Sequence, residues 1–187
     1  MNVQTNLQMD KATFLAWVQG QEGRHELDDG HVVMMTGGTR GHERVLRRLA
    51  AALEQRLDAD RWEVLTSNFA VDLGPKTVRY PDVVVDSAHG ADKDLTATTP
   101  VLVAEVTSPS STADDLGDKA SQYLRSADLS AYLVLAQDEP KAWVWMRGSA
   151  GFSPGPDVIV GKRGVIRIPA LGIELPLAEI YTHIKET

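Results

Sequence analysis

The sequence predicts a mixed α/β domain built on one central β-sheet, on three observations. Leu46, Leu49, Leu53 and Leu57 recur at steps of three and four, the period of a helix with one buried stripe. Val83-Val84-Val85 and Val101-Leu102-Val103-Ala104 are continuously apolar, as suits central strands covered on both faces. The predicted elements run helix, strands, helix, strands with no repeat, low-complexity tract or linker between them. A chain of 187 residues is long enough for one domain, residues 1–187, with a real core.

The elements follow in order. Met9 to Val18 reads as a short helix in which Phe14, Leu15 and Val18 share a face. Asp29-Gly30 lies between Glu26-Leu27-Asp28 and His31-Val32-Val33, and Asp-Gly favours a two-residue hairpin turn with both residues at positive φ. Met34 to Gly41 is a glycine-rich loop without a phosphate-cradling pattern. His42 to Leu57 is the clearest helix, with Arg44, Arg47 and Arg48 off its apolar stripe. These arginines read as a solvated face, with phosphate contact as the sharper alternative. Trp62 to Leu73, Val78 to Val85 and Val101 to Thr107 are strands by composition. Ser108 to Thr112 is a loop, and the acidic pair Asp114-Asp115 starts a helix reaching about Ser126, with Leu116, Ala120, Tyr123 and Leu124 as its stripe. Ala131 to Ala136, Ala142 to Met146, Val165 to Ile168 and Ile173 to Leu175 are further strands, and Pro176 opens a last helix. Trp143 to Met146 has a large apolar face in either register, so a homodimer is expected if that strand lies at a sheet edge.

Composition narrows the function. Cysteine is absent, which excludes disulfides, thiolate metal sites and cysteine nucleophiles. No apolar run approaches the roughly 18 residues that span a bilayer, so no membrane partner is expected. Met1 to Asp10 lacks a signal-peptide pattern, and a cytoplasmic location is the expectation. The net charge of −7 argues against coating nucleic acid by general attraction. It does not exclude a nuclease, whose bound cations offset acidic residues locally.

Asp82 and Glu105 each interrupt an otherwise apolar strand, where an uncompensated carboxylate is costly. On neighbouring strands they could share a divalent cation such as Mg²⁺, which accepts a few carboxylate oxygens and keeps several waters. Pairing with arginine, or a strand end in solvent, is the alternative. Lys119 either pairs with Asp115, one helical turn back, or points at the same site and steadies a phosphate or an attacking water. Tyr123 lies on the same helix face as Lys119 and reads first as packing, second as a neighbour of the site. The five histidines show no pair at zinc-ligand spacing, since His42-Glu43 is followed by Leu46 where a zinc protease has its second histidine. No serine stands in a Gly-x-Ser-x-Gly elbow.

From about His25 to Tyr181 the chain resembles the Uma-type family of restriction endonucleases, a branch of the PD-(D/E)XK nuclease superfamily. The matching segments are His25 to Gly30, Gly37-Gly38-Thr39 with His42 at the helix start, Arg79-Tyr80-Pro81-Asp82 through Val85, Val101 to Ser110, Asp118-Lys119, Tyr123, and Ile168 to Leu175 through Ile180. The resemblance implies a restriction-endonuclease-like core, a central mixed β-sheet flanked by helices with an N-terminal β-hairpin. It implies a Mg²⁺ or Mn²⁺ site at Asp82 and Glu105, with the Val106 carbonyl as a further ligand, and hydrolysis of phosphodiester bonds in nucleic acid, DNA by analogy. The superfamily's usual lysine two residues after the second acid is replaced by Thr107, and Lys119 is placed to substitute. The rival expectation, favoured by Thr107 and the acidic charge, is a catalytically impaired nuclease-fold module that binds nucleic acid or serves as an oligomeric interaction domain.

Overall fold

The computed structural model describes residues 3–35, 37–108 and 111–184. The chain opens with strand β1 (Val3–Gln8), which the sequence reading leaves out, and helix α1 (Lys11–Val18). Asp10 caps α1 by accepting the Thr13 N–H, and Phe14 is its buried residue. The hairpin β2 (Arg24–Asp28) and β3 (His31–Met35) turns at Asp29 and Gly30, with φ of 45° and 86°. Both residues have the positive φ that the Asp-Gly pair predicts.

Helix α2 (Arg40–Glu54) starts two residues before the expected position, because Thr39 caps it by accepting the His42 N–H. Leu46, Leu49 and Leu53 are buried, Leu57 packs against them, and Arg44 and Arg47 are exposed.

The expected strand from Trp62 to Leu73 is two strands, β4 (Trp62–Thr66) and β5 (Val71–Asp72). The run from Val78 to Val85 is likewise divided, into β6 (Val78–Arg79) and β7 (Val83–Ser87). Pro81 marks the second division. It cannot donate to a ladder and it constrains the residue before it. The chain therefore leaves one sheet at β6 and enters another at β7, with Asp82 at the threshold.

Beyond this point come β8 (Leu102–Thr107), α3 (Thr112–Leu116), α4 (Asp118–Tyr123), β9 (Ala131–Ala136) and β10 (Lys141–Gly148). The single helix expected from Asp114 to Ser126 breaks at Gly117, whose φ of −104° and ψ of −101° are not helical. Positions 109 and 110 of the expected loop lie outside the described residues. Then follow β11 (Gly151–Phe152), β12 (Asp157–Val160), β13 (Val165–Ile168), β14 (Ile173–Pro176) and α5 (Leu177–Ile180).

The central mixed sheet is present as expected, and the N-terminal strands form a second sheet beside it. The N-terminal hairpin belongs to a five-stranded antiparallel sheet in the order β1-β3-β2-β6-β5. The central sheet has seven strands, β11-β10-β9-β8-β7-β4 with β12 also paired to β10. It is mixed, because β8 and β9 are parallel while β7 and β8 are antiparallel. The α3–α4 segment makes the crossover that a parallel pair needs. On one face, α2, α5 and the β13–β14 hairpin cover Val83, Val85, Ala104 and Val106. On the other, Ala120 and Tyr123 of α4 pack on Val84, Val103 and Val134.

The homodimer expectation depends on an edge position for Trp143 to Met146. The segment is instead interior, with β9 on one side of β10 and β11 and β12 on the other. Trp145 is buried, and the outer strand is β12, which exposes Val158 and Val160.

Tyr181 fastens the closing segment to the sheet. Its buried hydroxyl is shared between the Ala136 carbonyl at 2.7 Å and the Lys141 carbonyl at 3.1 Å. Tyr181→Phe should cost about 1–3 kcal/mol by leaving these acceptors short of a donor. The check is a urea unfolding curve with a lower midpoint and an unchanged slope.

Candidate active site

The β7–β8 ladder pairs Val83 with Ala104, Val84 with Val103 and Val85 with Leu102. One further step of this antiparallel register sets Asp82 opposite Glu105. Glu105 shares the face of Val103, onto which α4 packs, while Asp82 stands just before β7 and meets His42 of α2. The pair lies at the carboxyl end of β8, a usual position for sites in sheets with helical crossovers. Both carboxylates are buried, 6% and 4% exposed, which makes their compensation a structural requirement.

Each is compensated through one oxygen. Asp82 Oδ2 accepts the Val106 backbone N–H at 2.7 Å and lies 2.9 Å from His42 Nε2. A carboxylate accepts and does not donate, so Nε2 carries the proton. Glu105 Oε1 accepts from Lys119 Nζ and from the Tyr123 hydroxyl, each at 3.3 Å. Among the described residues, Asp82 Oδ1 and Glu105 Oε2 accept no hydrogen bond.

The Lys119 ammonium lies 3.3 Å from Glu105 and 3.5 Å from Asp115, so the pair one helical turn back and the approach to Glu105 coexist. The break at Gly117 does not separate it from Asp115. It is 5% exposed. Burial works against its charge, but Glu105, Glu26 and Asp115 outweigh that and hold it above the ordinary lysine value. Thr107 brings no cation. Its buried hydroxyl bonds to Ser108, Ser111 and Thr112 and closes the turn into α3.

Three members of the cluster were not singled out as site residues from the sequence. His42 reaches Asp82 from α2 on the far face of the sheet. The other two are Glu26 and Arg79, joined at 3.0 Å with 0% and 2% of their surfaces exposed. Arg79 also meets Asp28 at 2.7 Å and donates from Nε to Gln122 of α4 at 2.9 Å. The second oxygen of Glu26 accepts the Tyr80 N–H. An apolar strand broken by an acid offers a sequence signal, whereas an ion pair spanning 53 residues offers none.

The buried members near the site are the carboxylates Glu26, Asp82, Glu105 and Asp115 and the cations Arg79 and Lys119. Acidic groups outnumber the cations in this cluster. Burial, reinforced by Asp82, Asp115 and Glu26 and opposed by Lys119, pushes the Glu105 carboxyl well above the usual range. His42 is raised as well: burial works against the charged ring, and the hydrogen bond and charge of Asp82 prevail.

A divalent cation fits this donor set. Among the described residues the two carboxylates each keep one oxygen clear of hydrogen bonds, and acidic groups outnumber the cations around them. No three His, Asp or Glu side chains converge as a metal-binding group among the described residues. That suits Mg²⁺, which retains waters and needs only one or two carboxylates, better than it suits zinc. A surface cavity of about 410 Å³ is lined by Asp29, Asp72, Thr77 and Arg125.

The Uma2 family, described as "Putative restriction endonuclease", matches residues 12–178. This chain belongs to the Uma2 family. Two relatives come from Synechocystis sp., both uncharacterized proteins. One, slr1290, is 32% identical over 126 residues, 66% of this chain and 66% of that protein. This chain thus spans just under two thirds of its length. The other, sll1609, is 25% identical over 141 residues, 73% of this chain and 80% of that protein. A crystal structure from Anabaena variabilis, of a protein described as a putative nuclease belonging to DUF820, superposes with a TM-score of 0.71 at 10% identity. It covers 90% of this chain and 97% of its own, so the Uma2 chain shares its fold. No helix among the described residues is long and apolar enough to cross a membrane.

Arg79 supplies the test of this cluster. Arg79→Met keeps the volume but leaves Glu26 buried without its cation. The loss should be about 3–5 kcal/mol, the cost of breaking a buried pair from one side. In the Glu26→Gln, Arg79→Met double variant a large part should return, which a double-mutant cycle in urea measures.

Proposed function

We propose that this Uma2 protein is a Mg²⁺- or Mn²⁺-dependent endonuclease that hydrolyses phosphodiester bonds, with DNA as its substrate. The observation that supports this best is the pair Asp82 and Glu105, each with one oxygen clear of hydrogen bonds among the described residues, inside a buried cluster where acidic groups outnumber cations. Those two oxygens would hold the ion, with the Val106 carbonyl as a further ligand. A bound Mg²⁺ or Mn²⁺ would supply Lewis-acid polarisation of the phosphate and a more acidic water.

The chain's own residues provide the rest. His42 and the Val106 N–H fix one oxygen of Asp82, and Lys119 and Tyr123 fix one oxygen of Glu105. Lys119 also brings a positive charge that cannot be lost at neutral pH, fixed in a water-poor site where it favours the negative charge that develops on the phosphate. The restriction-endonuclease description of the family and the fold shared with a nuclease-like neighbour support the choice of nucleic acid. The cytoplasm is the proposed location, since a cysteine-free chain gains nothing from an oxidising compartment.

The engagement of Lys119 by two carboxylates, together with Thr107 at the usual lysine position, favours a second reading. In it the domain is an impaired nuclease that binds nucleic acid without cutting it, or an interaction module. Cleavage assays separate the two. With Mg²⁺ or Mn²⁺ the wild type should nick DNA, and Glu105→Gln should slow this at least about a thousandfold, some 4 kcal/mol on the barrier. Glutamine keeps the shape and removes the charge. Asp82→Asn should resemble it, and Lys119→Ala should be milder. A wild type that binds Mn²⁺ and cuts no nucleic acid would support the second reading.

A further inference from the structure

The loop before α2 is built around one imidazole. A Cβ on Gly38 would lie 2.8 Å from His42 Nδ1 and 3.0 Å from its Cγ, so the backbone at Gly38 lies directly against the ring. Thr39 accepts the His42 N–H and donates its hydroxyl to Gln137 at 2.6 Å, tying the helix start to the end of β9. The Gly41 position is also close, with a Cβ there 3.3 Å from the Gln137 carbonyl. Side chain, cap and neighbouring backbone together aim Nε2 at Asp82 Oδ2.

We propose that His42 is a positioning residue for the cation site: with the Val106 N–H it occupies Asp82 Oδ2 and so commits Oδ1 to the metal. This rests on the metal-dependent reading above. A carboxylate tethered by one backbone donor alone can rotate and offer either oxygen. A second donor on that oxygen, carried by a ring packed against Gly38, removes the freedom before the ion arrives. Hydrogen-bonded partners of metal-binding carboxylates commonly set affinity by about 10–100-fold.

The experiment titrates the full-length protein with Mn²⁺ by calorimetry and records the electron paramagnetic resonance of the bound ion. His42→Ala should weaken Mn²⁺ by about 10–100-fold. His42→Gln, whose amide nitrogen can take the place of Nε2, should recover part of the loss. Gly38→Ala, which leaves His42 in the sequence but displaces its ring, should reproduce the defect. Bound Mn²⁺ should show no nitrogen coupling that His42→Ala removes. If His42→Ala and Gly38→Ala both bind Mn²⁺ like wild type, this inference falls while the metal site stands. A nitrogen coupling lost in His42→Ala would make the residue a direct ligand and overturn the positioning role. A wild type that binds no Mn²⁺ overturns the metal-dependent reading and this inference with it. If His42→Ala fails to fold, the Gln and Gly38 variants decide the matter.

Discussion

The Arg79 guanidinium is the contact on which the arrangement depends. It lies on β6, the last strand of the N-terminal sheet before the chain crosses to the central one. It binds Glu26 and Asp28 of β2 on one side and Gln122 of α4 on the other. A buried cation of this kind is tolerable only with its partners in place. Satisfying Arg79 therefore fixes the N-terminal sheet against the helix that carries Lys119 and Tyr123. Pro81, two residues on, turns the chain into the central sheet, and Asp82 arrives opposite Glu105. The fold and the site are coupled through this short segment.

Much of this was legible as periodicity and turn chemistry. The Asp29-Gly30 hairpin, the leucine stripe of α2 and the apolar strands β7, β8 and β9 lie where their patterns put them. Asp82 and Glu105 stood out because a lone acid in a buried strand needs an explanation. The division of Val78 to Val85 between two sheets was hidden, because an apolar run looks the same whether it stays in one sheet or passes to another. The break between α3 and α4 was hidden for a related reason. A single glycine is common inside helices, and at Gly117 a Cβ would lie 2.7 Å from the Ala113 carbonyl, so the break uses a close backbone approach that only glycine fits. Strand β12 follows a Gly/Ser/Pro stretch, and its tertiary neighbour β10 supplies the pairing that its own composition does not announce.

The electrostatic partners were the least legible part. His42, Glu26 and Arg79 sit in segments with ordinary helix-start and strand patterns, and their partners are 40 to 53 residues away. Lys119 illustrates the difficulty from the other side. A local rule gave it Asp115 and a long-range one gave it Glu105, and a buried ammonium with three donors has room for both. Competing explanations of one residue need not exclude each other when the group is polyvalent.

The acidic character of the chain acquires a physical meaning in this setting. A net charge of −7 opposes approach to a polyanion, and in the buried cluster, where under the proposed reading a phosphate would come near, acidic groups outnumber cations. Among the described residues the ammonium beside Glu105, that of Lys119, is already engaged by two carboxylates. Under the proposed reading the missing positive charge is a divalent ion, and the same ion that activates the phosphate makes its approach possible. Binding of substrate and binding of metal are then not independent steps. The surface arginines of α2, Arg44 and Arg47, lie on the same helix as His42 and remain exposed. They can add attraction at longer range, where salt screens it. The short-range sign of the site is set by the buried carboxylates and by whatever cation they hold.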